Sequence, residues 1–353
     1  MTMSKKYRVA VLGLVHDHVW GNLEQLATLP GAVVAGVADP HQALLDRVAK
    51  QYGWPTYLSY EELVDRERPD VVCVFTDNAK GAELTVWAAE RGLQVMVEKP
   101  MASTVAGADR MLAAARKAGV RLMVNWPVVW RPQVQAALAL ASQPGFGPIW
   151  QVTHRAGHGG PDVECSPYFR EWILDAERNG AGALIDVCCY GANMASTLLG
   201  RPTQVFGTVG KLRRPEFPVE DNAIIVMSYP QAMATAEGCW GHVGQPITGY
   251  LATIWGTGGS VVFGPGRGGR LWSTTVEKPE CVEITPPALE PHLSCGTAHF
   301  LWALETGSEF YPLCRAETCR NAQEILDAAL ISSRTGQSVS LPACPGEVEK
   351  ARG

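Results

Sequence analysis

Between Tyr7 and Asn125, short, continuous apolar runs alternate with amphipathic segments, and this alternation restricts the fold more than any other feature of the chain. The apolar runs are Tyr7 to Gly13, Val33 to Asp39, Val71 to Phe75, Gln94 to Glu98 and Val120 to Asn125. Between them, helical periodicity covers roughly Trp20–Leu29, Gln42–Tyr52, Gly81–Arg91 and Val105–Ala118. Strands that are apolar at every position, not at every second one, are buried on both faces. Such strands belong to a parallel sheet sandwiched between helices. Repeated βαβ units with right-handed crossovers predict an α/β, doubly wound Rossmann sheet over residues 1–125.

The pattern changes after residue 125. Trp126-Pro127 and Arg131-Pro132 interrupt the alternation, a helix is expected near Gln133–Ser142, and Pro144–Pro148 is a turn. Strands are expected at Ile149–Arg155, Val205–Leu212, Asn222–Tyr229, Ala232–Trp240, Leu251–Gly256 and Ser260–Phe263, with turns at Tyr229-Pro230-Gln231 and Gly256–Gly259. This predicts an α+β domain over 126–342 with a large, mostly antiparallel sheet. A closing amphipathic helix is expected at about 316–335, and 343–353 is a tail. At 353 residues the chain is long enough for two cores.

Composition excludes several functions. A net charge of −5 offers no electrostatic case for nucleic acid or an anionic membrane. No apolar run approaches a membrane span. The N-terminus enters a strand without a signal-like apolar stretch, so a cytoplasmic location is expected. The 10 cysteines include no CxxC pair and are read as free, mostly buried thiols.

Four segments could carry chemistry. The first is Gly13-Leu14-Val15-His16-Asp17-His18, between the first strand and the first helix. A dinucleotide fingerprint would read GxGxxG there, but Val15 and His18 occupy the second and third glycine positions. Asp39 ends the second strand, where a carboxylate can bind a ribose diol and repel a 2′-phosphate; this favours NAD over NADP. Asp39 could equally cap the helix that follows Pro40. His16 and His18 form an H-x-H pair of the kind that opens some zinc hydrolase sites. No further ligand set appears at later strand ends, so no metal is assigned and the pair is read as contacts to cofactor phosphates or substrate.

The second segment is Glu98-Lys99-Pro100, at the end of the fourth strand. A lysine there faces the crevice where open α/β sheets bind ligands, and its pKa is readily tuned. The third is Asp186 to Asn193, in which Asp186, Tyr190 and Asn193 fall at i, i+4 and i+7 and share one helix face. The fourth is the glycine-rich stretch around His158, read either as a ligand contact or as a surface loop.

Taken together these segments resemble the Gfo/Idh/MocA oxidoreductase family, over nearly the whole chain to about Pro342. The most specific marks are Glu98-Lys99-Pro100 and Asp186–Asn193, where the family's D-x-G-x-H/Y-x-x-D/N pattern falls on Asp186, Cys188, Tyr190 and Asn193. Val37-Ala38-Asp39-Pro40, the Thr76-Asp77-Asn78 turn and the closing helix are weaker marks. Cys188 departs from the family's glycine, and Gly81 stands where many members have histidine.

The resemblance implies hydride transfer between NAD and a secondary alcohol of a sugar, cyclitol or glycoside. Lys99, Tyr190 and Asp186 would be catalytic, with the Lys99 and Tyr190 pKa values tuned toward neutrality. Gly13, Val15, His16, His18, Asp39, Thr76, Asn78, Glu98 and Lys99 would line the cofactor, and Lys99, His158, Asp186, Tyr190 and Asn193 the substrate. It also implies a homodimer or homotetramer built on the large sheet. An NAD-dependent glycosidase acting through transient oxidation, and a non-catalytic nucleotide-binding sensor, are alternatives on the same scaffold.

Overall fold

The computed structural model describes residues 5–244, 250–264, 266 and 268–342; the tail at 343–353 lies outside them. The first domain runs β1 (Tyr7–Leu12), α1 (His18–Thr28), β2 (Ala32–Ala38), α2 (Gln42–Tyr52), β3 (Thr56–Tyr57), α3 (Tyr60–Glu67), β4 (Val71–Val74), α4 (Asn78–Glu90), β5 (Gln94–Glu98), α5 (Val105–Ala118) and β6 (Leu122–Asn125). Its six strands are parallel, in the order β3-β2-β1-β4-β5-β6. The order reverses between β1 and β4, so the ligand crevice lies outside the C-terminal ends of these strands. β1, β4, β5 and β6 are buried along almost their whole length, which is why they read as unbroken apolar runs.

The second domain continues with α6 (Pro132–Ala141), β7 (Ile149–Gly157) and five helices: α7 (Pro161–Glu164), α8 (Pro167–Ile173), α9 (Ala176–Asn179), α10 (Ala183–Asp186) and α11 (Cys188–Leu199). It closes with β8 (Gln204–Gly210), β9 (Asn222–Ser228), β10 (Met233–Cys239), β11 (Leu251–Gly256), β12 (Gly259–Phe263), β13 (Leu271–Thr275), β14 (Val282–Ile284), α12 (Gly296–Thr306), α13 (Ala316–Thr335) and β15 (Val339–Ser340). Nine strands form one sheet, β14-β13-β12-β11-β7-β10-β9-β8-β15. Its pairings are antiparallel except β7 with β10, which run parallel.

One face of this sheet is covered by α11 and α13. Its strands β8, β9 and β10 alternate buried and exposed residues, as a sheet with one open face does. The open side carries Phe206, Ile224, Val226 and Met233, all exposed. On the covered side α11 lies so close to the sheet that a Cβ at Gly191 would stand 2.5 Å from the Ala236 Cβ. That close approach sets the height of Tyr190, one residue earlier.

α13 also ties the two domains together. The Asp327 carboxylate accepts the Val105 amide at the start of α5 (2.9 Å), and Arg320 Nε meets Asp109 at 2.7 Å.

Candidate active site

The crevice is built where the C-terminal ends of β5 and β6 meet α10, α11 and the ends of β7 and β10. Lys99 follows β5 directly and is buried. Its Nζ donates to Asp186 Oδ1 at 3.0 Å and to the Asp186 carbonyl at 3.2 Å, and lies 4.9 Å from the Tyr190 ring centre. Asp186 Oδ2 accepts the Trp240 indole N–H at 2.9 Å and faces His158 Nε2 at 3.4 Å. The Tyr190 ring meets Trp126 edge-on at 5.5 Å and stacks at 6.1 Å over His154. A cavity of about 260 Å³ opens here, lined by His18, Lys99, His158, Asp186 and Tyr190 among others. On the other side of His18 a second cavity, about 640 Å³, runs toward Asn125, Trp130 and Gln133.

The expected continuous helix face is interrupted. α10 ends at Asp186 and α11 starts at Cys188, with a 69° bend between the helical segments. At the bend the Asp186 carbonyl accepts from Lys99 Nζ and from Cys189 Sγ (3.1 Å), while the Tyr190 amide donates to Val187 O instead of to Asp186 O. Asn193, expected beside Asp186 and Tyr190, is buried and donates to Leu313 O at 2.8 Å; it is not among the residues lining the cavity.

The charge states also differ from the expectation of tuning toward neutrality. Burial disfavours the Lys99 ammonium, yet the Asp186 carboxylate at 3.0 Å outweighs it and holds the Lys99 pKa well above its ordinary value. Burial likewise disfavours the Asp186 anion, but Lys99 and His158 keep its pKa well below the usual range. For Tyr190, burial dominates the lowering influence of Lys99 and pushes the phenol up. At neutral pH the site therefore holds a lysine cation, an aspartate anion and a neutral phenol.

The cofactor side was expected to involve Gly13, Val15, His16, His18, Asp39, Thr76, Asn78 and Glu98. Gly13 has φ +90°, and a Cβ there would meet Thr76 Cγ2 at 2.4 Å and Phe75 O at 2.9 Å. This close packing seats the loop against β4. Asp39, buried at the end of β2, accepts Leu14 N at 2.6 Å and His41 N at 2.8 Å, so it organises the loop instead of capping α2 with its side chain. Val15 is covered: its carbonyl accepts the Trp172 indole N–H at 3.2 Å. His16 is buried against Phe169 (4.9 Å) and Trp172 (5.5 Å), and its backbone amide donates to Phe75 O.

Thr76 Oγ1 bonds Asp77 O, and Asn78 Nδ2 donates to Asn179, so both serve the turn and the domain contact. Glu98 receives His18 Nδ1 at 2.9 Å and Asn125 Nδ2 at 2.8 Å. Gly13 and Asp39 shape the loop at the C-terminal ends of β1 and β2, where a Rossmann domain receives its dinucleotide, and Lys99 stands beside open space at the end of β5. His16 packs against Phe169 and Trp172 between them.

Comparison with known proteins decides the family. Residues 7–126 match the model of the GFO/IDH/MocA oxidoreductase family, NAD-binding Rossmann fold, and residues 134–262 match a GFO/IDH/MocA C-terminal domain. The chain belongs to the Gfo/Idh/MocA oxidoreductase family. It is thereby an enzyme, an oxidoreductase with an NAD(P)-binding Rossmann domain.

It is 29% identical over 184 residues to D-xylose 1-dehydrogenase (NADP(+)) 2 of Haloferax volcanii, a match spanning 51% of this chain and 53% of that protein. D-apiose dehydrogenase of Paraburkholderia graminis is 23% identical across 98% of this chain and 92% of its own length. The crystal structure of aldose-aldose oxidoreductase from Caulobacter crescentus, complexed with glycerol, superposes with a TM-score of 0.81 at 25% identity, covering 96% of this chain and all of that one.

Sequence reasoning missed the Trp240 donor to Asp186 and the Trp130–Asn125–Glu98 relay, in which Trp130 Nε1 donates to Asn125 Oδ1 at 2.8 Å. Trp240 at a strand end was visible as a residue, but its partner lies 54 positions away.

Proposed function

We propose that this oxidoreductase transfers a hydride between a nicotinamide cofactor, NAD in preference to NADP, and a secondary alcohol of a sugar or related polyol. The observation that carries the reading is the buried Lys99–Asp186 pair at the C-terminal end of β5, with Tyr190 beside it and open space in front. Bound nicotinamide supplies the hydride acceptor or donor; the chain supplies charge, orientation and a proton.

In the oxidation direction the carbinol C–H leaves as hydride to the nicotinamide, and the O–H proton passes to Lys99 after that ammonium has released its own proton to solvent in the cavity. In the reverse direction a carbonyl oxygen gains charge and must be protonated. Lys99, held as an ammonium by Asp186, is suited to stabilise negative charge on that oxygen and to donate a proton to it. Asp186 fixes the Lys99 Nζ from one side, and Trp240 and His158 fix Asp186 from the other. Tyr190, kept neutral by burial, can donate a hydrogen bond to the same oxygen. The small, polar-lined cavity suits a monosaccharide-sized ligand better than a large apolar one. The sugar and polyol dehydrogenases among the relatives support this substrate class.

The test is a panel of aldoses, cyclitols, anhydrosugars and glycosides offered with NAD and with NADP, followed by reduced-nicotinamide absorbance and product analysis. Net accumulation of the reduced cofactor with a polyol supports the reading. Release of an aglycone without net reduction, or no turnover and no dinucleotide binding, overturns it.

A further inference from the structure

We propose that His18, backed by Glu98, carries protons between Lys99 and bulk solvent during turnover. This role presupposes the hydride transfer proposed above and falls to a residue which that chemistry does not otherwise use. Lys99, Asp186 and Tyr190 are all buried, so a proton released into the small cavity needs a route out. His18 borders this cavity and also the larger one beside it. Its side chain is 38% exposed, whereas that of Lys99 is 4% exposed.

Of the imidazoles around Lys99, His16 and His158 have both nitrogens committed. His16 Nδ1 accepts the His18 amide at 3.3 Å, and the His16 ring bonds the Lys99 backbone. His158 Nδ1 accepts the Gly160 amide at 3.1 Å, which leaves its Nε2–H to face Asp186 at 3.4 Å. His18 differs. Its Nδ1 faces Glu98 Oε1 at 2.9 Å. A carboxylate accepts in such a pair, so Nδ1 carries the hydrogen and Nε2 is the basic nitrogen. His18 Nε2 has no hydrogen-bond partner among the described residues.

Glu98 is held rigidly behind the ring. Its Oε2 accepts Asn125 Nδ2 at 2.8 Å, and Asn125 Oδ1 accepts the Trp130 indole N–H at 2.8 Å. A carboxylate placed behind an imidazole fixes its tautomer and stabilises the imidazolium that forms when the far nitrogen takes a proton. His18 also stands at the third glycine position of the dinucleotide fingerprint, where the usual loop offers no side chain.

In the oxidation direction the Lys99 ammonium gives one proton to cavity solvent, and His18 Nε2 takes it up there. The imidazolium, its Nδ1–H directed at Glu98, returns that proton to bulk solvent from its exposed edge. Lys99, now an amine, accepts the substrate O–H proton as the C–H leaves as hydride to the nicotinamide. In the reduction direction the same steps run backward, and His18 restores the ammonium after Lys99 has protonated the carbonyl oxygen. Imidazole takes and returns protons readily near neutral pH, which suits it to this transfer.

The experiment uses the full-length protein with saturating NAD and the polyol found in the screen, and follows the first turnover by stopped-flow absorbance of reduced nicotinamide. His18→Ala should slow that turnover by roughly 100-fold, the lower range for positioned proton transfer. Its NADH affinity by fluorescence titration and its circular dichroism should stay near parental. Added imidazole should restore the His18→Ala rate in a saturable way, because the space freed by the ring opens onto the larger cavity. It should not restore Lys99→Ala. Glu98→Gln, which keeps a contact to His18 but not the charge, should slow the same turnover without responding to imidazole.

A parental rate in His18→Ala overturns the proposal. So does a slowed rate that imidazole leaves unchanged, which makes His18 structural, or a loss confined to NADH affinity, which makes it a cofactor contact. A parent protein that reduces neither NAD nor NADP with any polyol overturns the hydride transfer itself, and the proton route with it. A parent that turns over while His18→Ala keeps pace leaves the hydride transfer standing and removes only the proton route.

Discussion

Lys99 Nζ bonds both the side chain and the main-chain carbonyl of Asp186, and the second of these bonds falls at the bend that separates Asp186 in α10 from Tyr190 in α11. One ammonium from the Rossmann domain thus holds the charge state of Asp186 and bonds the backbone of the second domain at the site. An ion pair buried this deeply contributes little net stability when intact, but leaving one partner unpaired is costly.

Asp186→Asn should therefore destabilise the protein by about 3–5 kcal/mol, read as a drop in the urea midpoint at pH 7. The pH dependence has a definite sign. The Asp186 pKa is depressed in the folded state, so its stabilisation is present above the ordinary carboxylate value of 3.8 and is lost as pH falls through the lower folded value. The Lys99 pKa is raised, so its stabilisation persists at neutral pH and is lost only in strong alkali. The variant should lose less stability than the parent between about pH 4 and pH 2. Equal acid sensitivity of the two proteins would show that the pair does not set this limb.

Lys99→Ala should lower turnover on the polyol found in the screen by roughly 100-fold or more, and Lys99→Arg by less, since the charge but not the reach is kept. Steady-state kcat and KM measurements separate this from lost binding. Near-parental kcat in Lys99→Ala would remove Lys99 from the chemistry.

Much of the fold was legible because burial on both faces leaves an unmistakable pattern: β1, β4, β5 and β6 appear in the sequence as unbroken apolar runs. Elements with weaker patterns were missed. α3 carries a readable signal in Ser59, whose hydroxyl accepts the Glu62 amide at 3.2 Å, as in the S-x-x-E start of a helix. β14 has only three residues, mostly exposed, and α7 and α9 only four each, too short for any period to show.

At the site, Lys99, Asp186 and Tyr190 could be placed together through the family pattern. What the sequence did not carry was tertiary. The Lys99–Asp186 bonds join residues 87 positions apart in different domains, and the His18–Glu98 contact joins residues 80 positions apart. Asn78 and Asn193 are read as site amides from the family pattern; in the structure Asn78 donates to Asn179 and Asn193 to Leu313 O, while Asn193 Oδ1 is buried without a hydrogen-bond partner among the described residues.

The open face of the nine-stranded sheet sets Phe206 directly opposite Val226, with Ile224 and Met233 on the same side. We propose that these exposed apolar side chains form the association surface between copies of the chain. Ile224→Asp should shift the protein from dimer or tetramer to monomer in light scattering coupled to gel filtration, with the thermal midpoint of the monomer little changed because the residue is exposed. A parent protein that is already monomeric, or a variant that keeps the parental mass, would place any interface elsewhere.

Asp39 gives the sharpest test of cofactor choice. Its carboxylate ends β2, is almost fully buried, and is held in place by Leu14 N and His41 N. A ribose 2′-hydroxyl can donate to such a carboxylate, whereas a 2′-phosphate meets its negative charge. NADH should therefore bind at least about tenfold tighter than NADPH, the order expected of one unfavourable charge contact worth roughly 1.4 kcal/mol. Asp39→Asn removes the charge while keeping one acceptor, at a cost of about 1–3 kcal/mol in stability from the lost loop contacts. The ratio of NADPH to NADH dissociation constants, measured by fluorescence titration on folded variant, should then fall toward one. Because both constants come from the same protein, the ratio is insensitive to that stability loss. A parent that binds the two cofactors equally, or a ratio unmoved by the substitution, would mean that Asp39 serves only to fold the loop.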